Sequence, residues 1–358
     1  MGTEVSRFEK KFAEFFGARY AVMANSGSSA NLLMTAALFF CSNTSLQLKR
    51  GDEVIVPAIA WSTTIAPLHQ YGLHLKFVDA DLNTLNYDID ALESAVTSKT
   101  RAIMVVNLLG NPNDFSRIKD ITLGKDIIIL EDNCESMGSK YDGEYAGSFG
   151  IMGTFSCFYS HHISTMEGGV VITDDEELYH IMLALRAHGW TRNLPTETKL
   201  IGKKSSDEFE ESWRFILPGY NLRPTELSGA LGTEQLKKLP KLIEGRRRNG
   251  IALQRNLSHH PDLIIQKEIG QSSWFGFSLV IRPDSNLTRN ELINLLHKKG
   301  FECRPIVSGN FTKHEVMKFY DYSLAGPLEN AEYIDRNGVF VGNQHYPIPE
   351  AIEALKAI

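Results

Sequence analysis

Cysteine is scarce in this chain of 358 residues, and no two cysteines lie close together in the sequence. The four of them, Cys41, Cys134, Cys157 and Cys303, form no Cys-x-x-Cys pair. A structural zinc site or an iron–sulfur cluster needs grouped thiolates, so this spacing argues against both. Isolated cysteines are typical of the reducing cytoplasm, where we expect this protein to act.

Long apolar runs and an excess of one charge are also missing. The hydrophobic runs are shorter than the ~20 residues that cross a bilayer, and no signal peptide is visible at the start. The formal net charge is −6 with both signs interspersed, so binding to nucleic acid or to a membrane surface has no electrostatic support. A hydrophobic content of 43% is enough for a large core, and the length predicts two domains.

Seven short apolar runs alternate with amphipathic stretches between about residues 20 and 190. This alternation predicts an α/β fold with a mostly parallel, seven-stranded sheet covered by helices on both faces. After about residue 250 strands and helices mix differently, which predicts a large domain over 1–245 and a smaller α+β domain over 246–358. The polar segment 203–212 is expected to be an exposed loop, either a plain surface loop or a lid over a site.

In an open parallel sheet, ligands bind at the C-terminal ends of the strands, and the first predicted strand is followed by "NSGSSAN" at 25–31. Gly27 permits a tight turn, and Ser28 would open the next helix, where free N–H groups attract an anion. The pattern predicts a phosphate cradle, although an ordinary serine N-cap would have the same pattern. It is neither GxGxxG nor a P-loop, which argues against dinucleotides and nucleoside triphosphates.

Two further strand ends carry Trp61 and Asp132. The Trp61 ring could stack on a flat heteroaromatic ligand, although a core position is the more common role for tryptophan. Asp132 emerges after the apolar run "IIIL", and a carboxylate beside a protonated ring nitrogen would turn that ring into an electron sink. A capping or salt-bridged acid is the alternative, but acidic residues rarely lie so close to a buried strand without a partner.

The segment "FYSHHISTMEGG" at 158–169 contains two histidines and no lysine. His161 lies five residues after Ser156 of the apolar strand "GTFSCF", and we expect His162 to be structural. We expect no metal here, because neighbours in an extended segment point to opposite faces and no cysteine or carboxylate completes a ligand set.

These motifs, in this order, resemble the DegT/DnrJ/EryC1/StrS family of sugar aminotransferases, which are fold-type I pyridoxal phosphate (PLP) enzymes. The family has a lysine at the position that His161 holds here. The resemblance implies an aspartate-aminotransferase-like fold and a homodimer with active sites at the subunit interface. Chains of this family usually carry a further segment before the helix "FEKKFAEFFG", and this sequence does not include one.

The resemblance also implies the roles of single residues. The cofactor phosphate would be bound by Gly27, Ser28, Ser156 and the partner subunit's Asn221. Trp61 would stack on the pyridine ring, Asp132 would bond its nitrogen, and Glu135 would lie near the ring. His161 would be the acid and base.

With a histidine in place of the lysine, this sequence resembles the 3-dehydratase branch of the family. This implies that a GDP-linked 4-keto-6-deoxy sugar loses its C3 hydroxyl, with L-glutamate as amino donor and ammonia as a product. A histidine cannot bond covalently to PLP, so the cofactor, as PLP or as pyridoxamine phosphate (PMP), would be held by noncovalent contacts. With an ordinary pKa of about 6.5, an imidazole both takes and gives a proton near neutral pH.

Two alternatives remain at this point. One is a PLP-dependent nucleotide-sugar aminotransferase, against which His161 argues. The other is a catalytically inactive binding protein on the same fold, against which the retained cofactor-binding residues argue. Arg192, Arg304 and Trp274 are candidates for substrate contacts, and surface ion pairing is the alternative for the two arginines.

Overall fold

The computed structural model describes all residues from 1 to 358. Its strands are, in chain order, β1 (Tyr20–Ala24), β2 (Glu53–Pro57), β3 (His74–Val78), β4 (Thr100–Val106), β5 (Ile128–Asp132), β6 (Lys140–Tyr141), β7 (Glu144–Tyr145), β8 (Met152–Ser156), β9 (Gly169–Thr173), β10 (Glu197–Thr198), β11 (Gly202–Lys203), β12 (Leu263–Ile265), β13 (Gly276–Ile281), β14 (Cys303–Arg304), β15 (Tyr322–Leu324) and β16 (Gly338–Gly342). Its α-helices are α1 (Thr3–Phe16), α2 (Gly27–Ala37), α3 (Ser62–Gln70), α4 (Ile89–Ala95), α5 (Phe115–Thr122), α6 (Glu176–Arg186), α7 (Glu208–Glu211), α8 (Glu226–Leu236), α9 (Leu239–Leu257), α10 (Arg289–Lys298), α11 (Glu329–Asn337) and α12 (Pro349–Lys356). None of these helices combines the length and the apolar character that crossing a bilayer requires.

A central sheet of eight strands has the order β1-β9-β8-β5-β4-β2-β3-β15. Strand β9 is antiparallel to both of its neighbours, and all other pairs are parallel, so the predicted mostly parallel α/β sheet is confirmed. Seven of the strands are the predicted apolar runs. The eighth, β15, comes from the C-terminal part of the chain and pairs with β3 at the sheet edge.

The central sheet is buried on both faces, as its apolar strands predict. Along β4, Ala102 and Met104 belong to the hydrophobic cluster that includes α2, whereas Ile103 and Val105 belong to the cluster that includes α5. Successive side chains of a strand point to opposite faces, so each strand must be apolar throughout to be covered by helices on both sides.

Helix α1 packs on the outside of this core through phenylalanines one turn apart. Phe8, Phe12 and Phe16 are buried, and the helix ends at Gly17, whose φ of 74° is left-handed. Helix α8 lies against α1 at very short range, because a Cβ at Gly232 would lie 2.8 Å from the Phe8 ring.

A second, antiparallel sheet has the order β12-β13-β16-β14 and shares a core with α9, α10 and α12. Helix α9 leads from the central sheet into this unit, and the proposed domain boundary between residues 245 and 246 falls inside it. That boundary stays a prediction. The segment 203–212 is mostly exposed and contains the short helix α7.

Candidate active site

A cavity of about 510 Å³ lies at the C-terminal ends of β4, β5 and β8, next to the second sheet. This volume is typical of a small-molecule site. Phe275, just before β13, and Phe340, in β16, form part of its wall. Seven of the eight residues predicted for cofactor binding or catalysis line it, namely Gly27, Ser28, Trp61, Asp132, Glu135, Ser156 and His161.

The segment predicted to bind a phosphate begins helix α2 at the cavity. Ser26 caps the helix, since its Oγ accepts the N–H of Ser29 at 3.1 Å. The N–H groups of Gly27 and Ser28 have no acceptor within the chain. A Cβ at Gly27 would lie 2.7 Å from the Cβ of Ser156, so only glycine leaves this space open. Free N–H groups at the positive end of a helix dipole are suited to an anion such as phosphate.

Asp132 is a buried carboxylate with hydrogen-bond donors but no cationic side chain beside it. Its Oδ2 accepts from Asn31 Nδ2 at 2.8 Å and from Thr64 Oγ1 at 2.6 Å, and its Oδ1 accepts the N–H of Cys134 at 3.0 Å. The alternative of a salt-bridged acid is therefore wrong. A carboxylate fixed in a cavity wall without a countercharge is suited to a cationic group on a ligand, such as a protonated ring nitrogen.

Trp61 lies at the cavity mouth, at the start of α3, and its side chain is 56% exposed. The alternative of a core tryptophan is therefore wrong. Nearby, the Ser28 hydroxyl donates to Thr63 Oγ1 at 2.8 Å, which joins the cradle to the same helix. An exposed indole at a cavity mouth offers its face to a flat ligand.

His161 follows a turn after β8 and is held from two sides. Its Nδ1 lies 3.2 Å from Ser156 Oγ, and its ring stacks on that of Phe275 with centroids 5.1 Å apart. His162 is buried outside the cavity, where its Nε2 lies 3.3 Å from the backbone oxygen of Ser273. This position agrees with a structural role for His162, which stays a prediction.

Burial sets the protonation states of two groups in the cavity. It lowers the pKa of His161 to about 4, with Asp132 opposing this shift and Arg246 adding to it. Burial also raises the pKa of Glu135 to about 7, although the N–H of Leu109 donates to its Oε2 at 3.1 Å. Near neutral pH the cavity therefore holds a neutral imidazole and a carboxyl group that is partly protonated.

The remaining predicted residues lie in three places: the cavity, the surface and the core of the second sheet. Asn221 is exposed and lies outside the cavity of its own chain. Arg304 lines the cavity, whereas Arg192 lies outside it with its guanidinium 4.5 Å from the ring centre of Trp190. Trp274 is 1% exposed in the core of the second sheet, so its candidacy as a substrate contact was wrong.

Sequence reasoning missed Asn31, Thr64 and Phe275. Asn31 ends the motif "NSGSSAN", and Thr64 follows Trp61 by three residues. Each lies in the first turns of a helix that begins at the cavity. Their place beside Asp132 could have been inferred from that helical position. Phe275 carries no such signal, because it reaches the cavity from a segment more than a hundred residues after His161.

Comparison with known proteins gives a consistent result over the whole chain. The model of the DegT/DnrJ/EryC1/StrS aminotransferase family matches residues 1–346. The GDP-4-keto-6-deoxy-D-mannose 3-dehydratase of Yersinia pseudotuberculosis is 61% identical over 356 residues, which cover 99% of this chain and 90% of that protein. The enzyme of the same name from Escherichia coli O55:H7 is 57% identical, covering 100% of this chain and 92% of the relative.

A solved structure matches this chain over its full length. The crystal structure of GDP-4-keto-6-deoxymannose-3-dehydratase with a trapped PLP–glutamate geminal diamine superposes with a TM-score of 0.98. Its sequence is 57% identical, and the match covers 100% of this chain and 92% of that one.

Proposed function

Because this chain belongs to the DegT/DnrJ/EryC1/StrS aminotransferase family, we propose that it uses PLP and L-glutamate to remove the C3 hydroxyl of GDP-4-keto-6-deoxy-D-mannose. The products are a GDP-linked 3,6-dideoxy-4-keto sugar, a precursor of a dideoxysugar such as colitose, and ammonia. The observation that carries this proposal is that an imidazole, His161, lines the cavity and no lysine does.

The cavity has the features that PLP requires of a protein. The free N–H groups of Gly27 and Ser28 are suited to its phosphate, and a larger residue than glycine would close the space beside Ser156. Asp132 offers a carboxylate that no cation of the chain neutralises, which matches a protonated pyridine nitrogen. Trp61 offers an exposed aromatic face.

Each of these groups has a separate task in the proposed reaction. When bound, PLP supplies an electron sink and a carrier for the amino group of glutamate. Asp132 keeps the ring nitrogen protonated, and Asn31 and Thr64 hold that carboxylate in place. Because no lysine reaches the cavity, the contacts that hold the cofactor are all noncovalent.

In this proposal His161 is the base that takes up a proton and the acid that gives it to the C3 hydroxyl. Its imidazole is neutral because burial lowers its pKa to about 4, so it starts as the base. Ser156 occupies its Nδ1 side, which leaves Nε2 for the transfer. Because burial disfavours the charged form, the protonated imidazole readily gives up its proton, and it returns the proton to the departing C3 hydroxyl.

Atoms and electrons balance without an external reductant. Glutamate is oxidised to 2-oxoglutarate and gives up ammonia, while the sugar carbon C3 is reduced as its hydroxyl leaves as water. One water is consumed in releasing the nitrogen and one is formed from the hydroxyl, so the two cancel. An iron–sulfur cluster is not needed for this balance.

A nucleotide-sugar aminotransferase would leave the nitrogen on the sugar. That reaction needs a group that returns a proton and then releases the aminated sugar. In the family, the lysine at the position of His161 performs both tasks. His161 cannot bond to the cofactor as that lysine does, and we therefore favour dehydration with loss of ammonia.

We further propose a cytoplasmic homodimer with active sites at the subunit interface. Exposed Asn221 would reach the cofactor phosphate of the partner's site, and the four free cysteines agree with a reducing compartment. Arg304 would contact an anionic group of the substrates, because it lines the cavity and forms no ion pair within the chain.

The proposal is tested by incubating the protein with PLP, glutamate and a panel of nucleotide-linked 4-keto-6-deoxy sugars. With the GDP-linked mannose derivative, mass spectrometry should show a product with one oxygen fewer than the substrate. One ammonia and one 2-oxoglutarate should form for each molecule of this product. A product that keeps nitrogen would identify an aminotransferase instead. No glutamate-dependent change of the cofactor absorbance would identify an inactive binding protein.

A further inference from the structure

Arg246 is a buried cation without an acidic partner. It lies on α9 and is 6% exposed. Its Nη1 donates to two backbone oxygens, those of Phe275 at 3.0 Å and Asn343 at 2.8 Å. A neutral donor could bind such carbonyls, and burying an unpaired charge is costly, so the charge itself requires an explanation.

The carbonyl that Arg246 holds belongs to a segment that is fixed on several sides. The N–H of Phe275 donates to Leu109 O at 3.0 Å, and Asn343 Nδ2 donates to Trp274 O at 2.9 Å. Trp274 has a φ of 48°, a left-handed conformation that a bulky residue adopts only when its surroundings impose it. The segment is thus clamped between the loop after β4 and the end of β16.

The side chain that this clamp presents to the cavity is the ring of Phe275. It stacks on His161 with an interplanar angle of 30° and on Phe340 with one of 19°. The imidazole therefore packs on a ring that packs in turn on Phe340. Such a support restricts the orientation of the imidazole toward a bound substrate.

We propose that Arg246 is a positioning residue for His161: it holds Phe275 as the support of the imidazole, and it places a buried cation next to that support. The inference rests on the proposed role of His161 in proton transfer. It adds a residue that lies behind the cavity wall and touches neither substrate nor cofactor.

The charge of Arg246 acts among several other groups. The titratable groups around His161 are Asp132 on β5, Cys134 and Glu135 after it, Glu167 before β9, Arg304 on β14, the adjacent His162 and Arg246 on α9. Burial is the main cause of the lowered pKa of His161, Asp132 opposes it, and Arg246 adds to it. Removal of the Arg246 charge should therefore raise the pKa of His161, and the base form should be lost at higher pH than in the native protein.

The first test needs no turnover. Cofactor-free protein labelled at histidine Cε1 is titrated by NMR, with the His161 signal identified by its loss in His161→Asn. In Arg246→Met the His161 signal should titrate at higher pH than in the native protein, and in Arg246→Lys, which keeps the charge, it should stay close to the native titration. Arg248→Met is the matched control, because Arg248 is exposed on the same helix, and it should change nothing.

The second test measures turnover. Arg246→Met should lower kcat about 10- to 100-fold, as expected when a catalytic group is displaced by a fraction of an ångström, with a smaller change in the KM for glutamate. The acid limb of the kcat profile should move to higher pH. Phe275→Leu should lower kcat as well, and the double variant should be no slower than the slower single variant, because both act through one support.

The outcomes separate this inference from the proposed function. If native protein turns over no nucleotide sugar, the proposed function fails, and the NMR titration still decides the effect of the Arg246 charge. If native protein turns over and Arg246→Met has native kcat and a native His161 titration, the inference is wrong. Should Arg246→Met not fold, Arg246→Lys decides. The lysine nitrogen is one bond nearer the backbone than Nη1, so it cannot hold both carbonyls where Nη1 holds them. The kcat should therefore fall with the His161 titration unchanged, and a native kcat would overturn the positioning role.

Discussion

The hydroxyl oxygen of Ser156 lies 3.2 Å from Nδ1 of His161 and also accepts the N–H of Phe158 at 3.2 Å. One side chain at the end of β8 thus connects the proposed phosphate cradle to the proposed proton carrier. Gly27 of the proposed cradle lies beside the Ser156 hydroxyl, since a Cβ added at Gly27 would be 3.0 Å from that oxygen. Cofactor binding and proton transfer should therefore depend on each other through Ser156.

Ser156→Ala should weaken PLP binding and also slow turnover when PLP is saturating. Loss of a hydrogen bond to a charged group is worth about 1.5–3 kcal/mol, which corresponds to roughly a 10- to 100-fold weaker affinity. Equilibrium dialysis measures the first effect and steady-state kinetics the second. Ser98→Ala is the control, because Ser98 is exposed and far from the site in the sequence. Full recovery of the rate by added PLP would show that Ser156 does not position His161.

His161→Asn should slow dehydration strongly and leave PLP bound, because the proposed binding contacts of the cofactor lie elsewhere in the cavity. Loss of an acid–base group lowers the rate by roughly 10²- to 10⁴-fold. The cofactor absorbance of the dialysed variant checks the binding, and product analysis checks the chemistry. Native protein reduced with borohydride should carry no cofactor on any lysine, and a stable lysine adduct would contradict the noncovalent site.

The sequence predicted the parts of this site that are local in the chain. Asp132 and His161 could be found because each follows a recognisable buried strand, and parallel strands bring their ends together. Arg246 and Phe275 could not be found, since their roles depend on where α9 and the second sheet meet the first. Strand β15 escaped prediction because three residues carry too little pattern, and its partner β3 lies about 250 residues earlier.

Gly27→Ala should weaken PLP binding and lower the free energy of unfolding. The new methyl group would lie 2.7 Å from Ser156 Cβ and 3.0 Å from Cys134 Sγ, and Ser156 Cβ cannot move without the backbone of β8. Overpacking of this kind costs about 1–3 kcal/mol. Dialysis and chemical unfolding measure the two effects. The control is Gly326→Ala, where an added Cβ meets nothing within 4 Å, and it should be nearly neutral. Native PLP affinity in Gly27→Ala would contradict the cradle.

The two glutamates beside the site should respond in opposite ways to substitution by glutamine. Burial raises the pKa of both Glu131 and Glu135 to about 7. Each carboxyl keeps its proton in the folded state at pH values where the unfolded chain has lost it, so the stability of the cofactor-free protein should fall as the pH rises from about 4.5 to about 7. The full cost of the buried charge is reached about one unit above the folded pKa.

Glu135→Gln should remove the cost of ionising one of these two buried carboxyl groups. Its carboxyl accepts a single backbone N–H, that of Leu109, which a glutamine oxygen can also accept. The variant should be more stable than the native protein between pH 5 and pH 8, by on the order of 2 kcal/mol at the upper end.

Glu131→Gln should instead destabilise the protein at every pH. Glu131 accepts the N–H groups of Gly147, Phe149 and Gly150 with both of its oxygens. In the variant, an amide NH₂ would face at least one of those donors. Urea unfolding at pH 5, 6.5 and 8 measures both differences, and a Glu135→Gln difference that does not grow with pH would show that Glu135 ionises normally in the fold.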